Sequence, residues 1–281
     1  MSLCKTKLFL PKDEVTLHGQ LAAGFGMSQE VRDAFGSLLA RLDSGPVTLL
    51  GDPAPDRTLV DRARRHGALE VADGVHPGPV VAIPMTGIPW RARLSLQSAG
   101  HELIDLTLPS IRRTRAMMKM MSLERRRILV VGHRDDAECR MLSQEGAIIL
   151  GTVDDAMSLP FAPSFGILCQ SHVGGERLKS VATALKRRHP DSSQVLLDTR
   201  DPALVEREKK VSAAARTAEG VVILADPADP SGRALYEAAR LAGVPAIVTD
   251  RPAEAQALCG SGKHLVSSGL FWDDGMLEVS D

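Results

Sequence analysis

The sequence predicts an α/β protein built from three similar units, each with a parallel β-sheet. Its apolar stretches are short and continuous, as in residues 128–131 and 221–224, a pattern typical of strands that helices cover on both faces. One plan then occurs three times at a spacing of roughly 80–95 residues: helix, apolar strand, Gly/Asp turn, second helix, glycine and another apolar strand. Three such units favour a pseudo-threefold, trefoil arrangement around a central cavity.

The first unit is predicted at residues 22–105. Glycines and Asp–Pro turns separate its helices from its strands, because these residues end helices and open turns. Its predicted elements are a helix at 29–41, a strand at 47–50, a helix ending at Gly67, strands at 68–71 and 80–83, a helix at 90–99 and a strand at 103–104.

The second and third units repeat this order. The second, at residues 106–198, is predicted to contain a helix at 110–125, a strand at 128–131, a helix ending at Gly146, strands at 147–150 and 165–169, a helix at 176–188 and a strand at 195–197. The third, at residues 199–281 plus 1–21, contains a strand at 221–224, a helix ending at Gly243 and a strand at 246–248. Residues 15–21 are expected to complete its sheet.

Composition narrows the classes of function. The chain has 34 Lys and Arg against 35 Asp and Glu and only 3% aromatic residues, which disfavours nucleic acid as a partner. Its longest apolar runs have the length of a strand, so no membrane span is expected. The four cysteines form no CxxC pair and the N-terminus has no export signal, which predicts a cytoplasmic protein. The expected partner is a small molecule, and a homodimer or a protein partner is compatible with the sequence.

Acidic residues are concentrated in the turns that follow the strands, where parallel sheets bind ligands. They are Asp52, Asp56, Asp135, Asp136, Glu138, Asp226 and Asp229. Carboxylates can hold Mg²⁺, which in turn bridges to a diphosphate, so Asp136, Asp226 and Asp229 are candidate metal ligands. Asp also caps helices and opens Asp–Pro turns, and this simpler role accounts for most Asp at such positions.

Two histidines lie in the corresponding turns of the second unit. His133 and His172 are the candidates for acid–base chemistry or phosphate contact, although a loop histidine is more often structural than catalytic.

Short motifs along nearly the whole chain resemble the LytB family. They are Gly24 with Phe25, residues 57–68, Asp105 with Thr107 and Pro109, Gly132 and His133 with Glu138, and residues 170–172. Each match is short, but their order and spacing agree with the family. The resemblance implies three α/β units around an iron–sulfur cluster, in a reductase that makes isopentenyl and dimethylallyl diphosphate from hydroxymethylbutenyl diphosphate.

The resemblance fails where the family places its cluster ligands, one cysteine at the start of the first helix of each unit. The aligned positions are Gly26, Leu108 and Asp201, or Pro202 if the third alignment shifts by one. Such clusters are held by thiolates, and glycine and leucine carry no ligand atom in their side chains. The sequence therefore predicts a protein without an iron–sulfur cluster, with Mg²⁺ as the candidate metal.

The resemblance also assigns roles in the substrate pocket. Glu138 occupies the position of the family's proton-relay acid, and His133, His172 and Asp136 complete the candidate catalytic set. The candidate substrate-binding residues are Asp52, Thr86, Ser171, Asp229 and Ser231.

The function expected from these assignments is non-redox conversion of a prenyl-type diphosphate in isoprenoid or terpenoid metabolism, by ionisation, isomerisation or cyclisation. One alternative is a non-catalytic pseudoenzyme or regulatory subunit. A more remote alternative is the family's own reductase.

Overall fold

The computed structural model describes residues 7–9, 20–21, 25–70, 77–251, 254–255, 257, 264–272 and 278–280. The strands are, in chain order, β1 (Lys7–Phe9), β2 (Gln20–Leu21), β3 (Thr48–Leu49), β4 (Leu69–Glu70), β5 (Val80–Ile83), β6 (Glu102–Asp105), β7 (Arg127–Val131), β8 (Ile148–Leu150), β9 (Ser164–Cys169), β10 (Ser193–Leu196), β11 (Gly220–Leu224), β12 (Ala246–Thr249), β13 (His264–Ser268) and β14 (Glu278–Ser280). The helices are α1 (Gln29–Leu42), α2 (Arg57–Arg65), α3 (Trp90–Ser98), α4 (Pro109–Leu123), α5 (Ala137–Gln144), α6 (Val153–Ser158), α7 (Gly175–Arg188), α8 (Pro202–Ala215) and α9 (Pro230–Leu241).

The chain divides into two compact units. The described parts of residues 30–54 and 60–201 form one, called here the mid-chain unit. The described parts of residues 1–29, 55–59 and 202–281 form the other, the terminal unit.

The mid-chain unit contains two four-stranded parallel sheets among its described residues. Their strand orders are β4-β3-β5-β6 and β10-β9-β7-β8. The apolar strand β5 is therefore an inner strand of the first sheet, and the apolar strand β7 is an inner strand of the second. Every residue of β5 is buried, and β9 and β7 pair in parallel with Leu168 opposite Val130. Continuous apolar sequence therefore corresponds to central strands covered on both faces, as predicted.

The terminal unit contains a third parallel sheet, in the order β12-β11-β13-β2. Leu265 of β13 pairs with Gln20, so residues 20 and 21 complete this sheet as expected. Residues 15–19, predicted as part of this sheet, and Gly24, part of a predicted LytB motif, lie outside the described residues. The prediction of an α/β chain with three parallel sheets is confirmed.

Some elements were not predicted. The pair β1–β14 is antiparallel and joins segments near the two ends of the chain. Helix α6 is short but begins with a capping box, in which Thr152 accepts a hydrogen bond from the backbone N–H of Asp155 and the Asp155 side chain accepts one from that of Thr152. The unit boundaries at 22–105, 106–198 and 199–281 with 1–21 remain a prediction.

Across the described residues, each helix is too short or too polar to traverse a lipid bilayer.

Candidate functional site

Three strand ends of the mid-chain unit lie at one edge of the sheet formed by β10, β9, β7 and β8. Strand β7 leads to Gly132 and His133, β9 to residues 170–172, and β10 to residues 198–201. The backbone N–H of Gln170 donates to the carbonyl of Val131 at 2.9 Å, and that of Asp201 donates to the carbonyl of Ser171 at 2.8 Å. The three turns are therefore tied together by their backbones, as the rule for parallel sheets predicts.

The side chain of Gln170 bridges two of the predicted residues. Its Oε1 accepts from the backbone N–H of His133 at 3.0 Å, and its Nε2 donates to Oδ2 of Asp136 at 2.7 Å. A Cβ atom on Gly132 would lie 2.6 Å from the sulfur of Cys139 and 2.8 Å from Cβ of Gln170, so this close approach requires glycine. The Asp136 carboxylate binds Gln170 instead of capping α5 with its side chain.

Glu138, Ser171, His172 and Asp201 form a chain of buried polar side chains, called here the Glu138–Asp201 chain. They are 2, 0, 3 and 1% exposed, respectively. Ser171 donates its backbone N–H to Oε1 of Glu138 at 2.9 Å and its hydroxyl to Oε2 at 2.5 Å. Ser171 Oγ lies 3.0 Å from Nδ1 of His172, and Nε2 of His172 lies 3.6 Å from Oδ2 of Asp201, within ion-pair distance. Adjacent groups are thus close enough to influence each other's protonation.

Burial raises the pKa of Glu138 above its usual value, and the neighbouring carboxylate of Asp136 raises it further. The charge of His172 and the two hydrogen bonds from Ser171 oppose this effect without reversing it. Glu138 therefore keeps its proton at a pH where an exposed glutamate has lost it, which suits a general acid.

In the terminal unit, the predicted residues Asp229 and Ser231 are engaged in holding a turn. Oδ1 of Asp229 caps α9, accepting from both the backbone N–H and the hydroxyl of Ser231 at 2.7 Å. Ser231 Oγ in turn accepts from the backbone N–H of Leu270 at 2.7 Å. These contacts tie the turn after β11 to the turn after β13.

The carboxylates of Asp226 and Asp56 also accept hydrogen bonds from backbone N–H groups. Asp226 accepts from the N–H of Ala228 at 2.8 Å and of Arg57 at 3.3 Å, while Oδ1 of Asp56 accepts from Thr58 and Leu59 at the start of α2. Burial raises the pKa of Asp56 to about 6, with further increases from the charges of Asp229 and Asp226, while the backbone hydrogen bonds from Leu59 and Thr58 lower it.

Asp56→Asn is expected to stabilise the protein above pH 6. The pKa of Asp56 is about 6 in the folded chain, against an ordinary value of 3.8, so between these two pH values the folded chain binds more protons than the unfolded chain and stability falls as pH rises. Asparagine can still cap α2 but carries no charge. Urea unfolding at pH 7.5 should therefore show a gain of at most about 3 kcal/mol, with a weaker loss of stability between pH 4 and 6 than in the unaltered protein. The exposed Asp52→Asn is the control, and equal stability of both variants would contradict the assignment.

Sequence reasoning missed the buried Arg207 of α8. Its guanidinium donates to the carbonyls of Ser268, Gly269 and Gly26 at 2.7, 3.0 and 3.0 Å, and Gly26 donates its N–H to Oγ of Ser268 at 2.8 Å. The one signal in the sequence is an arginine between Leu204 and Val211 on the apolar face of the helix.

Two predicted substrate-binding residues lie elsewhere in the mid-chain unit. Asp52 is exposed, with its carboxylate 3.8 Å from the guanidinium of Arg64, and Thr86 is half-buried in the turn after β5. As for a metal, the described part of the chain places no three His, Cys, Asp or Glu side chains so that they could hold an ion. The predicted Mg²⁺ ligands, Asp136, Asp226 and Asp229, instead accept hydrogen bonds from Gln170 and from nearby turn residues.

The three positions aligned with cluster cysteines are each buried. Gly26 has a φ of 91°, which disfavours any side chain there; Leu108 directly precedes α4; and Asp201 faces His172. Of the cysteines, Cys139 and Cys169 are buried thiols that form no disulfide, whereas Cys4 and Cys259 lie outside the described residues. Burial raises the pKa of Cys169 to about 12, so it holds its proton and is a poor metal ligand.

Comparison with known proteins gives one consistent result. The family model described as "LytB protein" matches residues 20–270. Two relatives, both called 4-hydroxy-3-methylbut-2-enyl diphosphate reductase, come from Oleidesulfovibrio alaskensis (26% identity over 90% of this chain and 94% of the relative) and Chromobacterium violaceum (24% identity over 80% and 75%).

Solved structures agree with these sequence matches. The E-1-hydroxy-2-methyl-but-2-enyl-4-diphosphate reductase of Plasmodium falciparum aligns with a TM-score of 0.83 at 16% identity, over 92% of this chain and 84% of that one. A second structure, described as the terminal enzyme of the non-mevalonate pathway, aligns with a TM-score of 0.65 at 19% identity, over 92% and 95%. The chain therefore has the fold of these reductases.

These comparisons correct the prediction about cofactors. The prediction of a chain without an iron–sulfur cluster, using Mg²⁺, is wrong, because the LytB reductases that the chain matches are iron–sulfur enzymes. The error came from reading the cofactor from three positions alone. At those positions Gly26, Leu108 and Asp201 provide no thiolate, so the described residues do not fit an iron–sulfur cluster.

Proposed function

Because the chain belongs to the LytB family, we propose that it acts on a prenyl-type diphosphate and that its own side chains supply acid–base chemistry. The observation that carries this proposal is the buried hydrogen-bonded set of Glu138, Ser171 and His172 at the carboxyl edge of a parallel sheet. Isomerisation and proton-initiated cyclisation each need a proton delivered to, or removed from, a fixed carbon, and ionisation is assisted by a proton that neutralises the diphosphate leaving group.

Glu138 is the proposed proton donor. Its raised pKa keeps the acid form available, and the Ser171 hydroxyl connects it to the imidazole of His172, which can return the proton. The Ser171–Glu138 and Ser171–His172 distances are 2.5 and 3.0 Å. Both are ordinary hydrogen-bond lengths, so a proton can pass along them without movement of the heavy atoms.

His133 is the proposed phosphate contact. It is half-buried and lies just before α5, whose first backbone N–H groups favour an anion. Asp136 is a positioning group here, because Gln170 holds its carboxylate and the same amide holds the backbone of His133. Asp52, Thr86, Ser171, Asp229 and Ser231 remain proposed ligand contacts.

The names of the relatives favour a second function, reduction of hydroxymethylbutenyl diphosphate. A non-catalytic binding role is the third candidate function, since Gly26 has no side chain and Leu108 has no reactive group in its side chain. We also propose a cytoplasmic location, which the reduced state of Cys139 and Cys169 supports, and a homodimer or protein partner.

The test is to incubate the purified protein with dimethylallyl, isopentenyl and hydroxymethylbutenyl diphosphates and to identify products by mass spectrometry. Each reaction is run with and without a one-electron reductant. Products formed without the reductant support the acid–base proposal, and products formed only with it support the reductase. Calorimetric binding without any product would leave the non-catalytic role.

A further inference from the structure

The buried contact between His172 and Asp201 was not expected from the sequence. Asp201 occupies the position aligned with a cluster cysteine, yet its carboxylate lies 3.6 Å from Nε2 of His172. Both side chains are almost fully buried, at 3 and 1% exposed. A carboxylate this deeply buried is costly unless a charge or hydrogen bonds compensate it, and a protonated imidazole at this distance is one such compensation.

We propose that Asp201 is a positioning residue that fixes the ring of His172 and thereby the direction of the hydrogen bonds from His172 through Ser171 to Glu138. The effect of Asp201 on turnover rests on the proposed function, whereas its effect on the orientation of the His172 ring does not.

The backbone places Asp201 for this role. Its N–H donates to the carbonyl of Ser171 at 2.8 Å, so the carboxylate is attached to the turn that carries both Ser171 and His172. Nε2 of His172 lies 3.6 Å from Oδ2 of Asp201, an ion-pair contact rather than a hydrogen bond, and Nδ1 lies 3.0 Å from Ser171 Oγ. The group that faces one ring nitrogen decides which of the two carries the proton of a neutral histidine.

The proton count along the chain is balanced. With the ring doubly protonated, Nδ1–H donates to Ser171 Oγ, whose own hydrogen donates to Glu138 Oε2. When Glu138 gives its proton to substrate, the Ser171 hydrogen moves to Glu138, and the Nδ1 hydrogen replaces it on the Ser171 oxygen. The ring is left neutral with its remaining hydrogen on Nε2, facing Asp201. The titratable groups around it are Glu138 and Asp136 near the start of α5 and Asp201 before α8.

A purely structural role for the pair would make a different prediction. In that case Asp201 would stabilise the turn, and its loss would lower stability without changing where the ring hydrogens reside. The decisive measurement is therefore the protonation pattern of His172, read without substrate from ring-nitrogen chemical shifts in ¹⁵N-histidine-labelled protein. The signals are assigned by their disappearance in His172→Gln.

We expect Nε2 of His172 to be protonated in the unaltered protein at pH 7, and Asp201→Asn to change the tautomer or charge of the ring. Asp201→Glu should restore the original pattern, and Asp198→Asn, which alters a carboxylate paired with Arg200 in the same turn, should leave it unchanged. If turnover is observed, Asp201→Asn should lower it at least about tenfold, because a wrong tautomer breaks the relay.

An unchanged His172 pattern in folded Asp201→Asn would overturn the inference. If Asp201→Asn does not fold, the His172 pattern is read in Asp201→Ser, which also removes the carboxylate: a changed pattern supports the inference and an unchanged pattern overturns it. Should the pattern respond as expected while no diphosphate is converted by the unaltered protein, Asp201 is confirmed as the positioning residue and only the proposed function fails.

Discussion

Replacing Glu138 by glutamine is expected to lower the turnover of a prenyl-type diphosphate by about 10²–10⁴-fold, the range typical of a lost general acid. Glutamine has nearly the same shape and can still meet the backbone N–H of Ser171, but it has no proton to give. Because burial raises the pKa of Glu138, its charged form is the unfavourable one, so glutamine should cost little free energy of unfolding. Steady-state kinetics and urea unfolding on the same preparation measure the two effects.

The pH dependence provides an independent check. The acid form of Glu138 persists above the usual pH range of a glutamate, so turnover should fall as pH rises through its raised pKa, and Glu138→Gln should lose that dependence. Glu124→Gln, an exposed substitution at the end of α4, is the matched control and should keep full turnover. Turnover within twofold of the unaltered protein would exclude Glu138 as the proton donor.

Much of the fold could be predicted because burial of apolar side chains determines both the sequence pattern and the position of each strand in its sheet. Strands such as β5 and β7 are continuous apolar runs, and such runs are stable when both faces are covered. The same reasoning placed Glu138 and His172 in turns at the carboxyl edge of a sheet, since parallel strands end at a common edge, whereas Ser171 was named only through the resemblance to the LytB family. Helix α6 and the pair β1–β14 were missed because short elements have little periodicity.

The roles of individual acids could not be predicted, because an aspartate in a turn has several acceptable partners. Asp226 and Asp229 bind backbone N–H groups, and Asp136 binds Gln170, so carboxylates expected to hold Mg²⁺ are used in fixing turns. Asp201 was interpreted only as the replacement of a cysteine. Its contact with His172 arises from two turns that are 29 residues apart in sequence, and no local pattern encodes that pairing.

Arg207 is the second side chain whose replacement should have a large effect, here on stability. Arg207→Met is expected to lower the free energy of unfolding by about 3–5 kcal/mol, because three buried carbonyls, of Gly26, Ser268 and Gly269, each lose a charged donor. Methionine fills much of the volume of the arginine stem, so the loss reports mainly on hydrogen bonding rather than on a cavity.

Two further variants separate this role from the loss of a positive charge. Arg207→Lys keeps the charge but replaces the planar, forked guanidinium with a single ammonium group, so it should recover only part of the lost stability. Arg240→Met removes an exposed arginine from α9 and should change stability by no more than about 0.5 kcal/mol. Urea unfolding at pH 7 measures all three. A loss below about 1 kcal/mol in Arg207→Met would mean that solvent or other groups satisfy the carbonyls, and that the guanidinium does not hold the Gly26 turn against the end of β13.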